Sequence, residues 1–315
     1  MKPVDTLNLP ADAVDPADVM DVPLEGSSAQ PASLRRDLMT LVKARMNFLV
    51  IVTTLLGMYM AARGSVGWML LIHTLLGTAL TAASASVFNQ IIERDHDRKM
   101  PRTRNRPLPA GRMSLAAAHW IGWITGVVGV SWLWVAVNPL TSLLGFATLV
   151  LYVFVYTPLK RSTTLNTLVG AIPGAIPPLM GYTAVANTID LAGLSLFAIL
   201  FVWQMPHFYA IAMIYRDDYA AGGYRMLPVD DPGFVNTRFH IVLWSLALLA
   251  ISVAPRMLEI AGDGYLAIAM LLGTIFGGCA LQLAASPTRR DARRVFFASI
   301  IYLPLLLAAL TLNKL

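Results

Sequence analysis

From residue 46 onward the chain alternates apolar stretches with shorter polar or charged breaks. A helix needs about 20 mostly apolar residues to cross a bilayer. The pattern predicts nine such spans, at 46–63, 68–92, 114–137, 140–157, 164–186, 192–214, 239–257, 264–284 and 295–312, the fourth being short. The connections are uneven: Asn138-Pro139 is barely a turn, whereas 93–113 and 215–238 are long and charged. In hydrocarbon a helix satisfies its own backbone polar groups, so the expected fold is an all-α integral membrane bundle.

Composition agrees. Of 315 residues 57% are hydrophobic and 13% charged, with a mean hydropathy of +0.62, outside the range of soluble domains. The single Cys279 lies in an apolar run, can form no internal disulfide, and reads as a small core residue. Residues 1–33 stand apart. They carry six acidic residues against Lys2 alone, a net charge of −5, and leave +11 on the remainder. Rich in Pro, Ala, Ser and Asp and without apolar periodicity, this segment is expected to be a disordered acidic tail, with one transmembrane domain over 34–315. It has neither the basic start and apolar core of a secretory signal nor the Arg-rich character of a mitochondrial transit peptide, so a bacterial inner membrane is the expected location.

Charge sets the expected orientation. With the N-terminus in the cytoplasm and the C-terminus on the far side, 21 of the 24 Lys and Arg residues fall inside; only Arg63, Arg256 and Lys314 fall outside. This asymmetry accounts for the basic balance without nucleic acid, and only basic residues beside acidic ones remain candidates for chemistry.

The densest such place is Asn89-Gln-Ile-Ile-Glu93-Arg-Asp95-His-Asp97-Arg98-Lys99-Met-Pro-Arg102-Thr103, at the end of the second span. Asn89, Glu93 and Asp97 recur every four residues and form one stripe on a helix face. Hard oxygen ligands in that arrangement suit Mg²⁺, which keeps several waters and commonly sits against substrate phosphates. Arg98, Lys99 and Arg102 follow, able to meet the same phosphates. Mixed charges often end a membrane helix merely because it has reached water. Oxygens stacked in register toward apolar sequence are expensive without a partner, and the expectation is metal-assisted chemistry on a lipid-tailed diphosphate.

A second polar cluster follows the sixth span: Trp203-Gln-Met-Pro-His207-Phe-Tyr209, then Tyr215-Arg216-Asp217-Asp218-Tyr219 and Gly222-Gly-Tyr-Arg-Met226-Leu-Pro. Its position four helices after the first hints at a duplicated four-helix unit. Paired acidic clusters could hold two metal ions around one diphosphate and neutralise the leaving group; the plainer reading of Asp217 and Asp218 is a solvated turn. A third cluster, Tyr156-Thr-Pro-Leu-Lys160-Arg161, either binds phosphate or marks the inner surface. In the fifth span, Gly170 and Gly174 form a small-residue packing face, and Pro173, Pro177 and Pro178 leave open a broken helix lining a cavity. His73 and His119 fall inside spans and read as structural. His207, after Pro206 and ahead of the acidic pair, is the histidine expected to face the substrate cavity.

Together these residues resemble the UbiA superfamily of intramembrane prenyltransferases, and within it the branch that farnesylates haem. The resemblance rests on Asn89-xxx-Glu93-xxx-Asp97-xx-Met100-x-Arg102-Thr103, on Tyr156 to Arg161, on Pro173 to Gly181, on Trp203 to Phe208, and on Tyr215 to Pro228. It covers roughly 35–312 and leaves the acidic tail outside. Asp217 stands where Glu is common, a conservative departure.

What the resemblance implies is specific: a nine-helix bundle that transfers farnesyl from farnesyl diphosphate to a vinyl group of haem b, giving haem O. It implies two Mg²⁺, one on Asn89, Glu93 and Asp97 and one on Asp217 and Asp218, with Arg98, Arg102, Lys160 and Arg161 gripping the diphosphate. Tyr156, His207, Tyr215 and Arg216 are further candidates for substrate contact. The expected partners are the two substrates, the lipid bilayer and a haem A synthase that would take the product; nucleic acid is not among them. The nearest rival acts on a quinone precursor such as 4-hydroxybenzoate, but Glu93 and the Trp203–Phe208 block favour haem. A transporter would place its ionisable groups mid-span, and a non-enzymatic assembly factor gives no reason for two acidic clusters.

Overall fold

The computed structural model describes residues 33–315; of the tail expected to be disordered, 1–33, all but Ser33 lies outside the described residues. The described residues are helical almost throughout, and nine helices among them are long and apolar enough to span a membrane. A short helix, α1 (Leu34–Leu41), begins at Ser33, whose side chain accepts from the Arg36 amide. The first span, α2 (Ala44–Ala61), follows after Lys43, which adopts a left-handed backbone (φ 49°). Then come α3 (Trp68–Asp97), α4 (Leu115–Ala136), α5 (Pro139–Leu159), α6 (Asn166–Ala186) and α7 (Leu191–Ile214). Two short helices, α8 (Arg216–Ala221) and α9 (Leu227–Asp230), lead into α10 (Val235–Met257), α11 (Asp263–Ala285) and α12 (Arg289–Leu312).

Two ends depart from the hydropathy pattern. α3 runs on to Asp97, so the polar stripe is helical to its last member. α12 starts at Arg289, ahead of its apolar stretch; Thr288 caps it and Asp291 pairs with Arg294 at 2.8 Å. Apolarity marks where a helix is in lipid, whereas caps and ion pairs decide where it begins.

The innermost helix is α6, and it packs by close backbone approach. A Cβ on Gly181 would fall 1.8 Å from the Thr54 carbonyl oxygen, and one on Gly57 would fall 1.9 Å from that of Pro178. Only glycine at both positions lets α2 and α6 meet this closely. Despite Pro173, Pro177 and Pro178 the helix is continuous, so the close-packing reading holds and the broken-helix alternative does not. α5 contains one π-helical turn, Leu151–Tyr156, a feature that frequently marks functional sites. Cys279 is half-buried and packs against the main core cluster, as its apolar setting suggested.

Candidate active site

The stripe on α3 is buried: Asn89, Glu93 and Asp97 are 0%, 4% and 1% exposed. Three cations converge on it from three parts of the chain. Lys43 Nζ lies 2.5 Å from Asn89 Oδ1, Lys160 Nζ 2.8 Å from Glu93 Oε1, and Arg106 Nη1 2.8 Å from Asp97 Oδ2. Each stripe residue thus meets one cation. The Asn89 amide also donates to Thr157 Oγ1 (3.1 Å), whose hydroxyl donates to the Tyr152 carbonyl (2.7 Å) within the π turn. Thr103 donates to the Asp97 carbonyl at 2.9 Å and ties the following loop to the helix end.

Local structure explains why these groups meet. Gln90 donates to the carbonyls of Thr40 and Leu41, pinning α1 to α3, and Asp37 binds Arg112 of the 98–113 loop. With α1 so fixed, the left-handed turn at Lys43 delivers its side chain to Asn89. The π turn supplies two aromatic faces for the two lysines: Lys43 lies 5.9 Å from the Tyr152 ring centre and Lys160 4.5 Å from that of Tyr156. Gly170 makes room for the Tyr156 ring, which a Cβ would meet at 2.4 Å.

Electrostatics separates the two lysines. Burial and the nearby Arg106 bring Lys43 down to about 7, against the opposing pull of Glu93. For Lys160 burial also acts downward, but the charge of Glu93, with Tyr156, Tyr152 and the hydrogen bond to Glu93, outweighs it and holds the ammonium well above its ordinary range.

The second cluster docks on the first. His96 Nδ1 donates to the Gly222 carbonyl (2.7 Å), the Arg225 amide donates to the Lys160 carbonyl (2.7 Å), and Asn166 donates to the Arg225 carbonyl (2.9 Å). The Arg102 guanidinium lies 5.0 Å and 5.8 Å from the ring centres of Tyr215 and Tyr219. Tyr224 lies buried between the clusters.

The other sequence candidates lie further out. Arg98 is turned to the Pro109 carbonyl and to Asp95. Arg161 is exposed, and Arg216 lies over the Phe234 ring. Asp217 is exposed and Asp218 half-buried, in the first turn of α8. His207 is committed to α12: its ring stacks on Trp203 (4.9 Å) and Phe296 (5.1 Å), and Nδ1 bonds Ser299 Oγ at 2.7 Å. His73 and His119 pack on Trp132 and Phe88. Lys43, Arg106, His96 and Tyr224 are the site residues that sequence reasoning missed. An apolar cavity of about 360 Å³ lies between α3, α4 and α5, lined by Phe88, Trp123, Leu149 and Val153 among others; none of the charged site residues lines it.

Among the described residues no three His, Cys, Asp or Glu side chains form a metal-ligand group; a cation here would draw on the Asn89 amide beside Glu93 and Asp97. One buried oxygen, Asp97 Oδ1, has no hydrogen-bond partner. An all-oxygen donor set with an open carboxylate oxygen fits a hard divalent ion.

Known proteins match this picture. The UbiA prenyltransferase family model matches residues 50–301. The chain belongs to that family. It is 46% identical over 279 residues to the protoheme IX farnesyltransferase of Myxococcus xanthus (strain DK1622), covering 88% of this chain and 94% of that one. To the protein of the same name from Solibacter usitatus (strain Ellin6076) it is 40% identical over 288 residues, covering 89% and 99%. The fold matches that of a digeranylgeranylglyceryl phosphate synthase, with a TM-score of 0.76 at 15% identity over 89% of this chain and 98% of that one. A UbiA homolog from Archaeoglobus fulgidus bound to DMAPP and Mg²⁺ matches with a TM-score of 0.64 at 13% identity, covering 87% and 99%. The chain is thus a multi-pass membrane prenyltransferase by family, and its buried stripe lies on a fold shared with a diphosphate-bound homolog.

Proposed function

We propose that this protein transfers the farnesyl group of farnesyl diphosphate to a vinyl group of haem b, giving haem O and diphosphate. Similarity to proteins named protoheme IX farnesyltransferase along nearly their whole length supports both donor and acceptor. The single structural observation that carries the chemistry is the buried Asn89–Glu93–Asp97 stripe ringed by Lys43, Lys160 and Arg106.

In the reaction the bond between farnesyl C1 and the diphosphate oxygen breaks, and its electron pair leaves with diphosphate. The vinyl π electrons then form a carbon–carbon bond to C1. Water adds to the carbon next to the porphyrin, loses a proton and leaves a hydroxyl. The protein's task is to stabilise charge where it develops and to keep water from the allylic cation. Asn89, Glu93 and Asp97 would hold one Mg²⁺, and Asp217 and Asp218 a second. When bound, the metal supplies neutralisation of the departing diphosphate. Lys160, paired with Glu93, would bind diphosphate oxygens, and the exposed Arg98, Arg102 and Arg161 with the half-buried Arg216 would reach them from the loops; Tyr156 and Tyr215 orient Lys160 and Arg102 through their ring faces. The surrounding apolar bundle limits water.

The excess of Lys and Arg in the loops beside the stripe supports a stripe that faces the cytoplasm from a bacterial inner membrane, with residues 34–315 read as one transmembrane domain and a haem A synthase as the expected consumer of the product. A competition assay tests the acceptor. With haem b and 4-hydroxybenzoate supplied together, farnesyl should appear on haem alone; farnesylated hydroxybenzoate without modified haem would overturn the assignment.

A further inference from the structure

The hydroxyl of Tyr224 has no hydrogen-bond partner, although the residue is only 3% exposed. Buried phenols normally find one. This one sits at the stripe: Lys160 Nζ, bonded to Glu93, is 6.0 Å from its ring centre, and the His96 ring is 5.5 Å away. Glu93, Lys160, Asp97 and Arg106 are the charges that act on it. In the same cluster Asp97 Oδ1 is a buried acceptor without a partner. A buried donor and a buried acceptor are therefore both left without a partner beside the same charges.

The backbone holds Tyr224 in place. Gly222 is tied to His96 through its carbonyl, the Tyr224 amide donates to the Tyr219 carbonyl at 2.9 Å, and the Arg225 amide donates to Lys160. Between them Gly223 adopts φ +74°, a left-handed turn that glycine makes freely. The ring packs with Met100, Ala212 and Met226. A donor fixed this way needs no reorganisation to serve a ligand.

We propose that Tyr224 is a substrate-positioning residue whose hydroxyl donates a hydrogen bond to a diphosphate oxygen of the prenyl donor. The inference rests on the reading that the α3 stripe receives a metal diphosphate. Lys160 and Arg106 would meet the same anion with charge, whereas Tyr224 supplies a neutral donor from the second cluster. Binding the anion thereby couples the two clusters through a side chain as well as through the His96–Gly222 contact.

The test uses the full chain in detergent, with Mg²⁺ and inorganic diphosphate as the probe and calorimetry as the readout. Tyr224→Phe removes the hydroxyl and keeps the ring. It should bind diphosphate about tenfold more weakly, with an unchanged unfolding midpoint and a raised KM for farnesyl diphosphate. Equal affinity in the wild type and Tyr224→Phe overturns the role of Tyr224 and leaves the stripe reading standing. A wild type that does not bind Mg²⁺ and diphosphate overturns the stripe reading, and this inference with it. Met226→Ala, which loosens the same packing without touching the hydroxyl, guards against a packing effect. Equal losses of affinity in both variants would mark Tyr224 as structural and overturn the proposal.

Discussion

Lys160 Nζ lies 2.8 Å from Glu93 Oε1, a buried ion pair that joins the end of α5 to the stripe on α3. Removing one partner of such a pair leaves an uncompensated buried charge and costs about 3–5 kcal/mol, whereas removing both can be nearly neutral. Lys160→Met should therefore lower the unfolding midpoint of the detergent-solubilised protein sharply. The double variant Glu93→Gln/Lys160→Met should recover most of that stability and no activity. A stable, active double variant would mean the pair serves the fold alone.

Asp97 offers the open oxygen of the stripe, and its other oxygen is held by Arg106. Asp97→Ala should lower turnover by at least about 10²-fold, the scale of a lost electrostatic contact in the transition state, while the protein still inserts and folds. Near-normal turnover would remove Asp97 from the metal site. The same assay on Asp218→Ala judges the second cluster independently, with a comparable loss expected.

The stripe could be read from sequence because all three members lie on one helix at four-residue spacing. Its counter-ions could not. Lys43 reaches Asn89 from 46 residues upstream through a left-handed turn, and Arg106 sits in a basic loop that topology alone explains. Tyr224 lay in plain view beside Gly222-Gly223, but which way a loop tyrosine points depends on tertiary docking. The nine spans were legible because lipid demands apolar length, whereas the start of α12 was set by Thr288 and an ion pair that hydropathy does not see.

His207 lies near an acidic pair, which invites a substrate role, and its ring is also held by Trp203, Phe296 and Ser299. His207→Ala should cost about 2–4 kcal/mol of stability through lost packing, read as a lower unfolding midpoint, with farnesyl diphosphate affinity unchanged. A selective loss of haem binding at unchanged stability would instead establish the substrate role.

The meeting of α2 and α6 predicts a steric limit. A Cβ on Gly181 would lie 1.8 Å from the Thr54 carbonyl oxygen, and backbone cannot yield as a flexible side chain can. Gly181→Ala should destabilise the bundle by about 1–3 kcal/mol or more and reduce the yield of folded protein from membranes. Gly277→Ala, at a position with nothing within 4 Å of the added carbon, is the matched control and should be tolerated.

The central claim, metal-assisted farnesyl transfer to haem, is tested most directly by a product assay on membranes carrying this protein. Haem b and farnesyl diphosphate are supplied with Mg²⁺ or with EDTA, and the haem is analysed by mass spectrometry. The account predicts a gain of one farnesyl group and one hydroxyl group with Mg²⁺ and unmodified haem with EDTA. Unmodified haem under both conditions would contradict the acceptor, and an equal gain under both would contradict the metal.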